Sequence, residues 1–341
     1  MKLPICFDRY RVEIDAELRR SLAGYQSPMY DMLRYHMGWI GEKGQPLSGS
    51  TGKALRPTLC LLACEAAGAD FAVGLPAAAA IELIHNFSLI HDDVQDDDRE
   101  RRHRPTVWSV WGKPQAINAG TAMRVVASLT MLRLEEREVS FAKLLRAQRL
   151  LDQSCLRLIE GQYLDISFES RLDVGVDDYL AMIEGKTASL IASSLEIGAL
   201  LGSDDEGFVR AFRRFGLNLG FAFQIRDDIL GIWGSAEKIG KPVGSDIWRR
   251  KKSFPIVYAF DRADLASRSA LRDIYSSGMV DQKAVDRVLS ILDGMNAERE
   301  AQKLADSFCD RALAELENVE LSPWAVGSLR EMAHFLTERD F

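Results

Sequence analysis

The chain has 341 residues, 47 % of them hydrophobic and 27 % charged, with a formal net charge of −7 at pH 7. That length can bury a sizeable core in one large domain or in two smaller ones. The acidic balance excludes a general affinity for nucleic acid or acidic membranes, yet it leaves room for a local basic cluster that takes an anionic substrate.

The start, MKLPICFDRY, lacks the basic-then-apolar pattern of a secretory signal. No uninterrupted apolar run approaches the roughly 20 residues that span a bilayer. Five cysteines (Cys6, Cys60, Cys64, Cys155, Cys309) form no CxxC pair. Cys60 and Cys64 share a helix face, but two thiols alone make a poor metal site and read better as small buried side chains. A cytoplasmic, reduced protein without a transmembrane segment is expected.

Helical periodicity dominates from there on. Gly52-Lys53-Ala54-Leu55-Arg56-Pro57 opens a helix predicted over 54–68, with Pro57 suited to its first turn. A second, strongly apolar helix is predicted over 75–98, and it runs into His91-Asp92-Asp93-Val94-Gln95-Asp96. Asp92 and Asp96 lie four apart, so on a helix their carboxylates point the same way. Clustered acids ending a buried helix are costly unless cations compensate. Oxygen-only ligands suit a hard ion such as Mg²⁺, which takes few carboxylates and completes its shell with phosphate. The plainer reading, a solvated helix end, suits Asp97, Asp98 and Glu100. His85 sits seven residues before Asp92 on the same face, either as a core histidine or as a ligand to substrate. His36, His91 and His334 take the structural reading.

Arg101-Arg102-His103-Arg104-Pro105-Thr106 follows, then helices over 114–133 and 141–168. The helix over 177–201 carries Lys186-Thr187, and Ser203 and Asp204 are N-cap candidates for the helix over 205–234. That last helix ends in Phe223-Gln224-Ile225-Arg226-Asp227-Asp228, a second acidic cluster, followed by a loop with Lys241 and Asp246 and then Lys251-Lys252. Carboxylates on facing helices are a common way to build a metal site inside a bundle. Diphosphate is the natural third party, because it bridges metal ions to guanidinium and ammonium groups. The stretch 280–341 reads as polar amphipathic helix that completes the bundle. No repeat, low-complexity segment or linker divides the chain. One all-α domain over 1–341, with about ten or more helices around a central apolar cavity, is expected.

At these residues the chain resembles the trans-isoprenyl diphosphate synthases, or polyprenyl synthetases, and most of all their short-chain geranylgeranyl type. GKALRP, IHNFSLIHDDVQD, RRHRPT, GKTASL, FQIRDDILG, GKPVGSDI and KKSFP occur in family order between about residue 50 and residue 256. The resemblance implies the isoprenoid synthase fold and a homodimeric, Mg²⁺-dependent prenyltransferase. It implies that Asp92 and Asp96 bind two ions and Asp227 a third, with Asp93, Asp228 and Asp246 supporting. Arg101, Lys186, Gln224, Lys241 and Lys252 then match contacts to the allylic diphosphate, and Thr187 is counted with the substrate-binding residues. Lys53, Arg56, His85 and Arg102 match the isopentenyl diphosphate site. The catalytic set would be Asp92, Asp96, Asp227, Lys186 and Arg101, with no Ser, Cys or His nucleophile.

Four positions depart from the family pattern: Ala54 in the GKRLRP-like block, His103 for the glycine of RRGxPT, Gly231 for the last Asp of the second motif, and Thr121 where many relatives carry Asp. Asp246 is a candidate to share the work missing at Gly231. The rival readings are a farnesyl diphosphate synthase, a class I terpene cyclase and a non-catalytic partner subunit. Against the cyclase stands the Asp227-Asp228 pair, where a cyclase usually carries an Asn-Ser/Thr-Glu metal motif. Phe87, five residues before Asp92, with small Ser88 beside it, resembles the geranylgeranyl type and would stop the growing chain. Helix arithmetic turns Phe87 about 140° from Asp92, so it either closes the slot from its side or is core.

Overall fold

The computed structural model describes residues 3–47, 52–234, 243–277 and 279–340. It is all-α, apart from a two-stranded antiparallel hairpin of Glu100–Arg101 with Arg104–Pro105. The chain divides into two compact units, one of residues 5–152 and 193–209, the other of residues 1–4, 153–192 and 210–341.

The first unit holds α1 (Ile5–Leu22), α2 (Pro28–His36), α3 (Leu55–Ala66), α4 (Leu75–Gln95), α5 (Val107–Trp111), α6 (Lys113–Leu132) and the start of α7 (Phe141–Phe168). Its centre is α4. The run Leu75–Ile84 is buried on every side, as an all-round apolar helix must be. Asp70 caps the 3₁₀ turn before it by accepting from the Ala72 amide at 2.9 Å. The stretch Phe71–Gln95 is long and apolar enough to cross a membrane, but 83 % of its most apolar window is buried inside the protein. It is a core helix. Thr121 lies on the exposed side of α6.

In the second unit, α8 (Val176–Ile183) passes through a π-helical turn, Glu184–Ala188, into the start of α9 (Ser189–Gly202), whose residues from Ser193 on belong to the first unit, as does the beginning of the next helix. The periodicity over 177–201 had no way of showing that turn. α10 (Glu206–Trp233) follows, and its cap corrects the expectation. Neither Ser203 nor Asp204 caps it; Asp205 does, accepting from the Gly207 and Phe208 amides at 2.7 and 3.3 Å. Then come α11 (Ser245–Trp248), α12 (Phe254–Arg262), α13 (Leu265–Ser276), α14 (Gln282–Gly294), α15 (Ala297–Ala314) and α16 (Pro323–Glu338). Ile232, Ile247, Ile256, Leu271, Val288 and Leu292 form part of one continuous core, so the amphipathic stretch after 280 does complete this unit. All five cysteines are buried, none of them in a disulfide.

Candidate active site

The first cluster belongs to the unit centred on α4. Asp92 and Asp96 stand one turn apart at the carboxyl end of α4, Asp92 half-buried and Asp96 exposed. No basic residue occupies that last turn. Carboxylates there face the negative end of the helix dipole, which makes a cation favourable. Asp93 points elsewhere. It is 1 % exposed and accepts from Arg101 Nε at 2.8 Å and Nη2 at 2.7 Å. Burial raises its carboxyl to about 6 in spite of that partner. Asp93 thus aims Arg101.

The hairpin turn explains His103. Arg102 and His103 both have positive φ, 53° and 60°, as a two-residue type I′ turn requires. Histidine occupies that conformation at a cost of about 1 kcal/mol relative to glycine. Arg104 fastens the hairpin, donating to the Tyr35 and Ile40 carbonyls at 3.2 and 3.0 Å and stacking on the Tyr35 ring. On the other side, Gly52 (φ 97°) runs so close to Arg102 that a Cβ there would sit 2.9 Å from the guanidinium. Ala54 is also left-handed, at φ 48°.

A basic cluster surrounds His85. Burial first, and then the charges of Arg56, Arg102 and Arg101, hold its imidazole well below the ordinary range, so it is neutral at pH 7. Lys53 is exposed and Arg56 buried. Sequence reasoning gave His36 only a structural role. The structure puts it beside Asp93, Arg101 and Arg102 in the lining of one cavity. Burial, and then Arg101 and Arg102, push its pKa down to about 3. No spacing rule links α2 to α4. Phe87 is 4 % exposed and meets the His91 ring edge-on at 5.6 Å. Ser88 is buried and donates to the His85 carbonyl at 2.8 Å.

The second cluster lies in the other unit. Lys186 sits in the π-helical turn and donates to the Asp165 carboxylate. Gly161 of α7 passes so near that a Cβ would come 2.1 Å from the Lys186 amide. Burial raises the Asp165 carboxyl, but Lys186 and Lys251 outweigh it and hold the pKa below the usual range. Asp165 escaped the sequence reading; the one signal was an acid within the apolar helix 141–168. Thr187 donates to Gln224 at 2.7 Å, and Gln224 donates to Asp228 at 2.9 Å. Asp228 also accepts from Tyr179 at 2.7 Å and from the Phe254 amide at 2.8 Å. Burial, and then Asp246, push Asp228 up to about 7.

Asp227 is the more exposed of the pair, and Arg339 donates to its carboxylate. At Gly231 a Cβ would meet the Asp246 carboxylate at 2.4 Å. Asp246, from α11, therefore fills the space beside α10 where the motif's last side chain would begin. Lys252 lines the same pocket as Asp165, Lys186, Gln224 and Asp228; it is 4 % exposed, with Nζ 4.8 Å from the centre of the Tyr275 ring. Lys251, in the same lining, acts on Asp165 and Asp228. Lys241 lies outside the described residues.

Among the described residues no three His, Cys, Asp or Glu side chains are gathered as a ready-made metal cage. A divalent ion at these carboxylates would take its remaining ligands from water and phosphate, as Mg²⁺ does. The oxygen-only donor set fits that ion.

The sequence pattern defining the family described as polyprenyl synthetase matches residues 38–292. Among curated relatives, a (2E,6E)-farnesyl diphosphate synthase of Mycobacterium tuberculosis is 38 % identical over 324 residues, covering 94 % of this chain and 89 % of that one. A geranylgeranyl diphosphate synthase of the same organism is 38 % identical over 316 residues, covering 93 % and 89 %. Among solved structures, a polyprenyl synthetase from Streptomyces coelicolor superposes with a TM-score of 0.90 at 35 % identity, covering 96 % and 98 %. A geranylgeranyl pyrophosphate synthase from Corynebacterium glutamicum, complexed with isoprenyl diphosphate and magnesium, superposes with a TM-score of 0.84 at 26 % identity, covering 99 % and 100 %.

Proposed function

The chain belongs to the polyprenyl synthetase family and is a prenyltransferase, and from that premise we propose that it condenses isopentenyl diphosphate with an allylic diphosphate to give geranylgeranyl diphosphate. The observation that carries the reading is the meeting of acids and cations in each unit: Asp92 and Asp93 act on Arg101 in one, and in the other Lys186 pairs with Asp165 while Lys251 acts on both Asp165 and Asp228.

Asp92, Asp96 and Asp227 would hold three magnesium ions, and such ions would supply charge stabilisation for a leaving diphosphate. Lys186, kept in place by Asp165, and Arg101, kept in place by Asp93, are the cations offered to the allylic diphosphate. Arg56 and Arg102 bind isopentenyl diphosphate. His85, neutral, donates or accepts a hydrogen bond there without adding charge. Gln224 orients Thr187 toward the allylic substrate. Apolar helix walls exclude water from the cation, and the proton lost in coupling leaves with the departing pyrophosphate.

α6 and α7, tied by Arg124 to Asp152, expose apolar stripes: Ile117, Val125 and Leu129 on one, Phe141, Leu156 and Tyr163 on the other. Stripes of that kind need a cover, and a second copy across a twofold axis supplies one; we propose a homodimer. Five buried cysteines, none in a disulfide, suit a reducing, cytoplasmic compartment.

The test is incubation of the purified chain with Mg²⁺, isopentenyl diphosphate and either geranyl or farnesyl diphosphate, with products read by mass. A C20 diphosphate supports the proposal. A product stopping at C15 supports the second reading, a farnesyl diphosphate synthase, which the equally similar farnesyl relative favours. No incorporation of isopentenyl units refutes both.

A further inference from the structure

The residue that meets Asp227 comes from 112 positions further along the chain. Arg339, directly after α16, places its guanidinium on the Asp227 carboxylate and over the Phe223 ring at 4.2 Å, with a longer contact to the Phe223 carbonyl at 3.4 Å. Its own segment is pinned from α10 in return. Arg226 Nε donates to the Arg339 carbonyl at 2.8 Å, and Arg226 Nη1 to Gln302, which reaches the Thr337 carbonyl. Arg226 and Asp227, neighbours on α10, thus hold the same short segment.

The two acids of the motif are treated differently. Asp228 is buried and satisfied by a tyrosine, an amide and a glutamine, all on structure packed around it. The side chain of Asp227 is 39 % exposed, while its guanidinium partner is 8 % exposed. The carboxylate is open to solution on one side and neutralised from the other. A guanidinium stays protonated at any working pH, so this cation leaves only by moving. A magnesium ion binds carboxylate oxygen at about 2.0–2.1 Å with near-octahedral demands. A second cation hydrogen-bonded to the same carboxylate competes with it for that charge.

We propose that Arg339 is a positioning residue that stands in for the cation at Asp227, and that binding of a divalent ion with diphosphate displaces it and releases the segment Leu336–Arg339 from α10. This rests on the reading of Asp227 as a metal ligand. Without a metal, the guanidinium keeps the carboxylate oriented and spares the helix an uncompensated charge. With a metal, loading of the site is coupled to the freedom of a segment anchored more than a hundred residues away.

The test uses Mg²⁺ with inorganic pyrophosphate as the probe, calorimetry for affinity, and hydrogen exchange over the segment from Phe335 to Asp340. In the wild-type chain the probe should speed exchange in that segment several-fold, where the Arg339 amide bonds the Phe335 carbonyl at 3.1 Å. Ligand binding otherwise slows exchange, so local acceleration is a signature that a merely structural ion pair does not give. Asp227→Asn should show the faster exchange without any probe. Arg339→Gln should bind the probe about two- to five-fold more tightly, the size of a partly exposed ion pair removed from competition, and Arg339→Lys should stay near wild type. If the probe binds in an Asp227-dependent way while the segment keeps or gains protection, the displacement is refuted and the metal reading stands. If Asp227→Asn binds the probe as well as wild type, both fall. Should Arg339→Gln not fold, the wild-type and Asp227→Asn exchange data decide alone.

Discussion

Glu82 offers a quantitative check on how the basic cluster is built. It lies on α4, 2 % exposed, and accepts from the Asn86 side chain at 3.2 Å. Burial raises its carboxyl to about 6, although Arg56 and Arg102 pull the other way. The unfolded value is near 4.5, so the folded state holds this proton more tightly. The stability it confers is fully present below about pH 4.5 and is lost as pH rises through about 6. A difference of about 1.5 units, at 1.36 kcal/mol each, amounts to about 2 kcal/mol. Glu82→Gln removes the titration and keeps the side chain's shape. His36 and His85 titrate in the opposite sense, because their folded pKa values are depressed and their stability is gained as pH rises. The quantity to read is therefore the difference between variant and wild type, from urea unfolding of both proteins between pH 4 and pH 7.5. The Gln variant should gain about 2 kcal/mol on wild type across that interval. Parallel stability curves would show that the buried carboxyl does not titrate there and that the two arginines already balance it.

Asp92→Ala and Asp227→Ala should each lower turnover by about a hundredfold or more, the usual cost of losing one electrostatic clamp, with circular dichroism unchanged. Arg56→Ala or His85→Ala should mainly raise the Michaelis constant for isopentenyl diphosphate and Lys186→Ala that for the allylic partner, which two-substrate kinetics would separate. Phe87→Ala, assayed with farnesyl diphosphate and excess isopentenyl diphosphate, should give longer products; an unchanged product from a folded, active variant would make Phe87 simple core. Tyr179→Phe takes one donor from buried Asp228 and should cost about 1–3 kcal/mol in denaturant unfolding.

Much of this protein was legible from the chain alone. The helix over 141–168 ends where the periodicity ends, and those over 54–68, 75–98, 114–133 and 205–234 are placed to within a few residues. Both acidic clusters, and the order of the blocks that carry the family resemblance, are local in sequence, so a one-dimensional reading reaches them. What it could not reach is pairing. That Asp93 serves Arg101, that Lys251 acts on Asp165 and Asp228, and that Asp246 fills the space beside Gly231 depend on where packed elements bring their side chains. The π-helical turn at Lys186 needs the close passage of Gly161, which no helical period encodes. The same holds for Arg339 on Asp227. Periodicity is a property of neighbours along the chain, whereas a partner more than a hundred residues away is chosen by shape, burial and charge in the folded core.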